Sequence, residues 1–372
     1  MPDSGDYRIY RPRLDRCQRL MLEKDIDLLF LGPGPNMCYL SGFLEEPGER
    51  LFALIVPQSG EPLFVVPELY EEHVKSLSWI RNLISWKDSQ DPRSVLSENL
   101  RKTPREHPTI AVDSRMWSRF LLMLLAVAPN ARFEDASSVM MELRIRKTDE
   151  EIELMQKSAA IAEAAMTETL KECREGRREH EVAAKLVYEM RRSGADGVAF
   201  EPVVSSGPNA ALPHYRSGER RLQRGDLVVL DFGCLYRGYN SDITRTIAIG
   251  SCDAERKSVY SIVRSAQEEA FQKTCEGIEA QNVDGIARHI IETAGYGKSF
   301  IHRTGHGIGL EVHEDPYIVA GNSTKLADGM AFSIEPGIYI PGQFGVRIED
   351  IVVIEAGKAR RLNKFSRELM IL

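Results

Sequence analysis

Three histidines, His302, His306 and His313, fall within the fifteen residues HRTGHGIGLEVHEDP, threaded through glycines 305, 307 and 309, in a chain that has eight histidines in all. Imidazoles can ligate a metal, move a proton or donate to a developing oxyanion. Taken alone, the stretch equally suits a glycine-rich turn with solvated histidines, so the acids elsewhere in the chain have to decide. In DLVVLDFGCLYRGYNSDITRT (226–246) an apolar strand ends at Asp231 and its return strand carries Asp242. Antiparallel partners share a constant position sum. For this pair the hairpin centres between Tyr236 and Arg237, with both carboxylates on one face, opposite or one diagonal apart. In AFSIEPGIYIPGQFGVRIEDIVVI (331–354) Glu335 and Glu349 centre on Gly342, so an odd-length loop makes them face each other.

Carboxylates facing within about 5 Å repel, and such a pair is destabilising unless a cation lies between. Either pair singly fits a capped turn or a surface salt bridge. Two pairs beside a glycine-flanked imidazole form a hard, oxygen-rich set suited to two divalent ions, manganese first, with cobalt, iron or zinc as alternatives. Two dications balance four carboxylates. Ions about 3.5–4 Å apart can share a water and lower its pKa from about 15.7 towards about 7. A ligand carboxylate, Glu335 in this reading, is then placed to accept the water's proton. Glycines 305, 307 and 309 are expected to let the backbone approach the ions.

Such a site needs strands to carry the acids and helices to cover them. Thr148 followed by Glu151 has the capping-box pattern, and Ile152, Met155, Ala159, Ala162 and Met166 behind it make one helical stripe. A second helix carries Val182, Ala183, Leu186, Val187 and Met190; two more are expected near 255–272 and 283–294. With strand pairs between and after them, this region reads as α+β, helices packed on one antiparallel sheet, and the order of helices then acidic hairpin occurs twice. Upstream, Leu14, Cys17, Leu20 and Met21 mark an amphipathic helix, IDLLFL a strand, LFALIV and PLFVV a hairpin about PQSGE, and TIAVD (109–113) a buried strand with Asp113 or Ser114 capping the next helix. The expected division is a smaller α/β domain over 1–135 and a catalytic α+β domain over 136–372.

At 372 residues both domains can bury a core. Hydrophobic content of 43% and charged content of 28% are ordinary for a globular protein. A net charge of −7 argues against a nucleic-acid binder that neutralises phosphates. The N-terminus MPDSGDYRIYRPRL lacks an apolar signal core, and FLLMLLAVA (120–128) is too short to span a membrane and reads as a buried helix. Six scattered cysteines without a C-x-x-C fit neither a disulfide framework nor a thiolate zinc site; reduced thiols in the cytoplasm are the expectation.

The set DFG…SDITRT, HRTGHGIGLEVHE, SIEPGIY and VRIED resembles the pita-bread metallopeptidases, within them the Xaa-Pro dipeptidases (prolidases) and Xaa-Pro aminopeptidases. The likeness covers about 148 to the end, with PHYR (213–216) as a further element; the N-terminal third resembles that group's creatinase-type lid and dimerisation domain. The resemblance implies that Asp231 holds one ion, Asp242 and Glu349 bridge two, and His306 and Glu335 complete the second. It also implies that His214 and His313 contact substrate and stabilise the tetrahedral intermediate, with His302 nearby and Arg347 and Tyr339 as outer supports for the ligands. A proline-containing dipeptide or peptide substrate and a homodimer are implied in the same way.

Other readings fit less well. DFG (231–233) has no accompanying Gly-rich loop, V-A-I-K lysine or H-R-D loop of a kinase. GPGPNM lacks the third glycine of a dinucleotide fingerprint, and neither HEVAA nor HEDPY has the second histidine of H-E-x-x-H. A metal-independent creatinase-type amidohydrolase would not need the acids, a non-catalytic pita-bread binding module would be free to lose them, and methionine aminopeptidases usually lack a lid domain such as 1–135. His73, His107, His180 and His289 are expected to be solvated or helix-packed.

Overall fold

The computed structural model describes residues 7–100 and 105–372. The reading of the extreme N-terminus as signal-free falls partly on residues 1–6, which lie outside the described residues. The chain divides into two compact units, Met1–Arg144 and Ile145–Leu372. That division lies beyond residue 135, because the helix Ser137–Arg144 buries Val139, Met140 and Leu143 within the first unit. Tyr39 Oη donates to the Leu143 carbonyl at 3.1 Å and Arg144 Nη1 to Asn36 Oδ1 at 2.6 Å, tying that helix back to the segment at 36–39.

The first unit is a six-stranded mixed sheet in the spatial order 83–86, 63–67, 53–57, 28–31, 109–112, 132–135. Its centre, Leu28–Leu31, is buried throughout, and the expected hairpin pairs Ala53 with Val65. Helix Tyr7–Glu23 buries Leu14, Cys17, Leu20 and Met21, the stripe read from spacing. Two expectations fail here. Helix Ser118–Val127 buries Phe120 and Leu124 while Leu122 is 64% exposed, so the apolar run covers the core with one face only. Trp117, not Asp113 or Ser114, stands at its N-cap; Asp113 instead accepts from the Arg115 N–H and from Asn36.

In the second unit the Thr148–Glu151 capping box forms as expected, with the Thr148 N–H donating to Glu151 Oε2 at 2.8 Å and helix Asp149–Leu170 following. Helices Asp149–Leu170 and Glu179–Arg192 pack Ile161, Met166, Val182 and Leu186 against Val228, Leu230, Ile243 and Ile247 of the first acidic hairpin. Helices Ala254–Lys273 and Ala280–Thr293 do the same for the second, with Val259, Val263, Val283 and Ile291 against Phe332, Ile334, Val346 and Val352. Each helix pair therefore buries the back of one acid-bearing hairpin, the twofold order seen in the sequence. The strands do not form one continuous sheet: separate ladders, including a three-stranded and a five-stranded one, meet through bridges such as Thr244 to Glu349. The ladders on either side of Glu335 and Glu349 stop short of these acids, which interrupts what the sequence suggested was a single layer.

Candidate metal centre and active site

The first hairpin pairs Asp231 with Thr244, and its tip is the two-residue turn Arg237–Gly238, both at positive φ. The centre thus lies one residue beyond the expected one, and Asp242 sits diagonally from Asp231 on the same face. Between ladder and tip, the strands pinch at Gly233, where a Cβ would lie 1.8 Å from the Ser241 carbonyl oxygen. In the second hairpin the expected register holds on both sides of the acids, Ile334 with Asp350 and Gly337 with Arg347, about a three-residue tip, 341–343. Glu335 and Glu349 fall in the gap between these two ladders. Their backbones turn to other segments: the Glu335 N–H donates to Thr304 at 2.8 Å and the Glu349 N–H to Thr244 at 3.1 Å. That gap brings both hairpins and the histidine strand Gly305–Gly307 to one point.

Asp242, His306 and Glu349 each offer a ligand atom within 4.8 Å of the others, and all three are buried. His306 Nε2 lies 3.2 Å from Glu335 Oε1 and 3.9 Å from Asp242 Oδ2. Its Nδ1 meets the Gly307 carbonyl at 3.1 Å, a contact only an N–H can make, so Nε2 is the ring nitrogen turned to the acids, able to donate to Glu335 or, with a cation bound, to ligate it. Asp231 reaches the same cluster from the side, its carboxylate accepting from Arg347 Nη2. Burial, and the charges of Glu349, Asp231 and Glu335, push Asp242 well above the carboxylate range; burial with Glu335 and Asp231 does the same to Glu349. Burial also opposes ionisation of Glu335, but the His306 hydrogen bond and the fields of His306, His302 and Arg347 outweigh it and hold Glu335 at about 2.

Arg347 Nη1 donates to Tyr339 Oη at 2.7 Å, and Tyr339 Oη lies 2.9 Å from His302 Nε2. His302 Nδ1 gives its proton to the Arg303 carbonyl at 2.7 Å, leaving Nε2 to accept from the phenol. Burial pushes Tyr339 up to about 12, so the phenol keeps that proton. His302 therefore belongs to a chain running through Tyr339 and Arg347 to Asp231, and burial lowers its pKa. The His313 ring stands 4.2 Å from that of His306 by centroids; burial first, then the charges of His306 and Arg303, bring it down to about 4. His214 is exposed, and its field reaches both His302 and His313.

The structure thus gathers nine of the ten residues singled out in the sequence around one centre, while the exposed His214 acts on it only through its field at His302 and His313. It adds a packing role for two of the glycines: a Cβ at Gly305 would lie 1.9 Å from the Ser333 carbonyl and one at Gly307 2.3 Å from that of Asp315. Crowding by neighbouring strands is enough to require glycine at both positions. Two supporting residues were missed. Thr244 Oγ1 donates to Glu349 Oε2 at 2.7 Å, and Ser333 Oγ donates to Glu335 Oε1 at 2.9 Å while accepting from the His306 N–H at 3.0 Å. Both stand two residues along a strand from an acid, Thr244 after Asp242 and Ser333 before Glu335, so the period-two rule for one sheet face could have found them. His73, His107, His180 and His289 lie outside the cluster, as expected.

The donor set fits divalent metal. Asp242 Oδ1 and Glu349 Oε1 are buried without any hydrogen-bond partner among the described residues. Four carboxylates against one guanidinium, all ionised, leave a net −3 in a buried cluster, which a cation would relieve. Comparison with known proteins points the same way. Residues 153–356 match metallopeptidase family M24 and residues 13–146 the Creatinase/Prolidase N-terminal domain. The chain is 39% identical to an Xaa-Pro dipeptidase of Pyrococcus furiosus over 97% of this chain and 100% of that one, and 37% identical to one of Lactobacillus helveticus over 96% and 98%. A crystal structure of a prolidase from Thermococcus sibiricus superposes with a TM-score of 0.95 at 41% identity, covering 98% of this chain and 99% of that one. With an acid-rich centre built from two hairpins and full-length relatives of this kind, the chain belongs to metallopeptidase family M24 and carries the family's creatinase-type domain ahead of its peptidase domain.

Proposed function

We propose that the protein hydrolyses the peptide bond preceding proline in Xaa-Pro dipeptides, using two divalent ions held by Asp231, Asp242, His306, Glu335 and Glu349. The observation that carries the reading is that Asp242 and Glu349 each keep one buried carboxylate oxygen without a hydrogen-bond partner among the described residues, in a cluster whose ligand atoms, with that of His306, lie within 4.8 Å of one another. The proline requirement rests on the relatives named Xaa-Pro dipeptidase. An oxygen-rich ligand set favours manganese, with cobalt, iron or zinc as the other candidates. Six free thiols suit the reducing cytoplasm, and the resemblance supports a homodimer. No helix among the described residues is long and apolar enough to cross a membrane.

When bound, the ions supply Lewis acidity and a water made acidic enough to attack at neutral pH. The chain's own groups do the rest. Glu335, ionised at neutral pH, accepts the water's proton and returns it to the amine that leaves. His313, neutral above about 4, and His214 donate to the carbonyl oxygen as negative charge builds there. Arg347, fully buried and bonded to both Asp231 and Tyr339, fixes Asp231 while Tyr339 fixes His302. A metal-independent amidohydrolase or a binding module has no use for a buried acidic cluster, and the relatives are named as peptidases, so neither alternative is favoured.

The test combines elemental analysis of the purified protein with hydrolysis of Ala-Pro, Gly-Pro, a longer Xaa-Pro peptide and Ala-Ala. The expected result is two ions per chain and cleavage of the proline dipeptides well above Ala-Ala. Equal rates on Ala-Ala would remove the proline assignment, and full activity after chelation would remove the metals.

A further inference from the structure

Helix Glu179–Arg192 begins with a glutamate that is 0% exposed. Its Oε1 accepts from the Ser206 N–H at 2.8 Å, from Ser206 Oγ at 2.7 Å and from Asn209 Nδ2 at 3.0 Å; its Oε2 accepts from Asn209 Nδ2 at 3.2 Å and from the Gly218 N–H at 3.3 Å. These donors flank one segment. Ser206 and Asn209 stand at its start, Gly218 at its end, and His214 at its exposed crest. Asn209 Nδ2 also reaches Tyr215 Oη at 2.9 Å, and the Glu179 N–H donates to the Arg220 carbonyl at 3.1 Å. Arg220 itself is turned to Asp226 and Ser206. Every group bonded to the carboxylate is a donor, so only an all-acceptor side chain satisfies the arrangement. Burying a carboxylate is costly unless its hydrogen bonds are made, and here all of them go to the segment that carries His214.

We propose that Glu179 is a positioning residue for catalysis: its buried carboxylate clamps both ends of the 206–218 segment and thereby sets where His214 meets the substrate. The inference rests on the assignment of His214 to substrate contact. Glu179→Gln keeps size but turns an amide donor on Ser206, Asn209 or Gly218, which frees the segment without touching the acidic centre.

The test is a double-mutant cycle on the metal-loaded protein, with wild type, Glu179→Gln, His214→Ala and the double variant assayed on Ala-Pro. Glu179→Gln is expected to lower kcat/KM by about 10-fold to 100-fold, the scale for loss of a supporting hydrogen-bond partner, with bound metal unchanged. In the double variant the loss should match that of His214→Ala alone. A purely structural role would lower Tm and leave kcat/KM of the folded fraction intact, which overturns the proposal, as do independent, multiplying losses. Should Glu179→Gln fold poorly, Asn209→Ala removes one of the clamped donors and is expected to show the same non-additivity with His214→Ala. If His214→Ala has wild-type kinetics, the substrate role of His214 is wrong and the clamp has no catalytic purpose. A damaging His214→Ala beside a silent Glu179→Gln refutes the clamp alone.

Discussion

Thr244→Val isolates one atom of the supporting structure. The two side chains are nearly isosteric, and the change removes a buried hydroxyl that donates to Glu349 Oε2 at 2.7 Å and accepts from Arg347 Nε at 3.2 Å. Glu349 Oε1 already lacks a hydrogen-bond partner among the described residues, so the variant leaves both oxygens of a buried carboxylate without a donor from them. A hydrogen bond to a charged group contributes about 1.5–3 kcal/mol, which at about 1.4 kcal/mol per decade corresponds to about 10-fold to 100-fold in an equilibrium constant. Because the hydroxyl favours ionised Glu349, already pushed upward by burial, its loss favours the protonated form that cannot ligate. Metal affinity at pH 7 should therefore fall by about 10-fold to 100-fold, and more protons should be released per ion bound. Titration of chelator-treated protein with manganese by calorimetry, in two buffers of different ionisation enthalpy, reads both quantities. A folded variant with wild-type affinity and proton release would refute the claim that Thr244 holds Glu349 for metal.

Glu335→Gln should reduce turnover by orders of magnitude while KM for Ala-Pro changes less; unchanged kcat in steady-state assays would remove Glu335 as the base. Gly305→Ala places a Cβ 1.9 Å from the Ser333 carbonyl, so thermal unfolding should show destabilisation of about 1–3 kcal/mol or failure to fold, and a wild-type Tm would contradict the packing described. Glu268 is bonded by Gln272, Arg361 and Arg367; burial opposes its ionisation, yet these partners hold it at about 2, below its ordinary 4.5. A lowered folded value gives stability that is complete above the unfolded value and lost as pH falls from about 4.5 towards about 2. Since the side chain is 38% exposed, solvent screening reduces the effect. Urea unfolding of chelated wild type and Glu268→Gln should accordingly draw together as pH falls from about 4.5 towards about 2, and parallel curves would count against it.

Much of the centre was legible because strand geometry is arithmetic. The spacing from Glu335 to Glu349 fixed a register that the ladders on either side obey, and Thr148 with Glu151 announced the helix that begins the second unit. Local rules failed where a neighbour from far along the chain intervened. Asp113 turned to Asn36 instead of capping a helix, the glycines at 305 and 307 answer to Ser333 and Asp315, and Glu179 reads in the sequence as an ordinary first-turn acid.

The amino-acid order by itself determined which side chains could share a sheet face, since alternation along a strand and the length of a turn are set within a few residues. It also determined that the acids outnumber what two hairpins tolerate without a cation. Only the tertiary structure decided that the two hairpins and the histidine strand converge, that Arg347 serves Asp231 through a gap of more than a hundred residues, and that Glu349 keeps an oxygen free of donors among the described residues. Those outcomes depend on burial and on distances between segments remote in sequence, and the free energy of an ionised group is governed by what surrounds it in space.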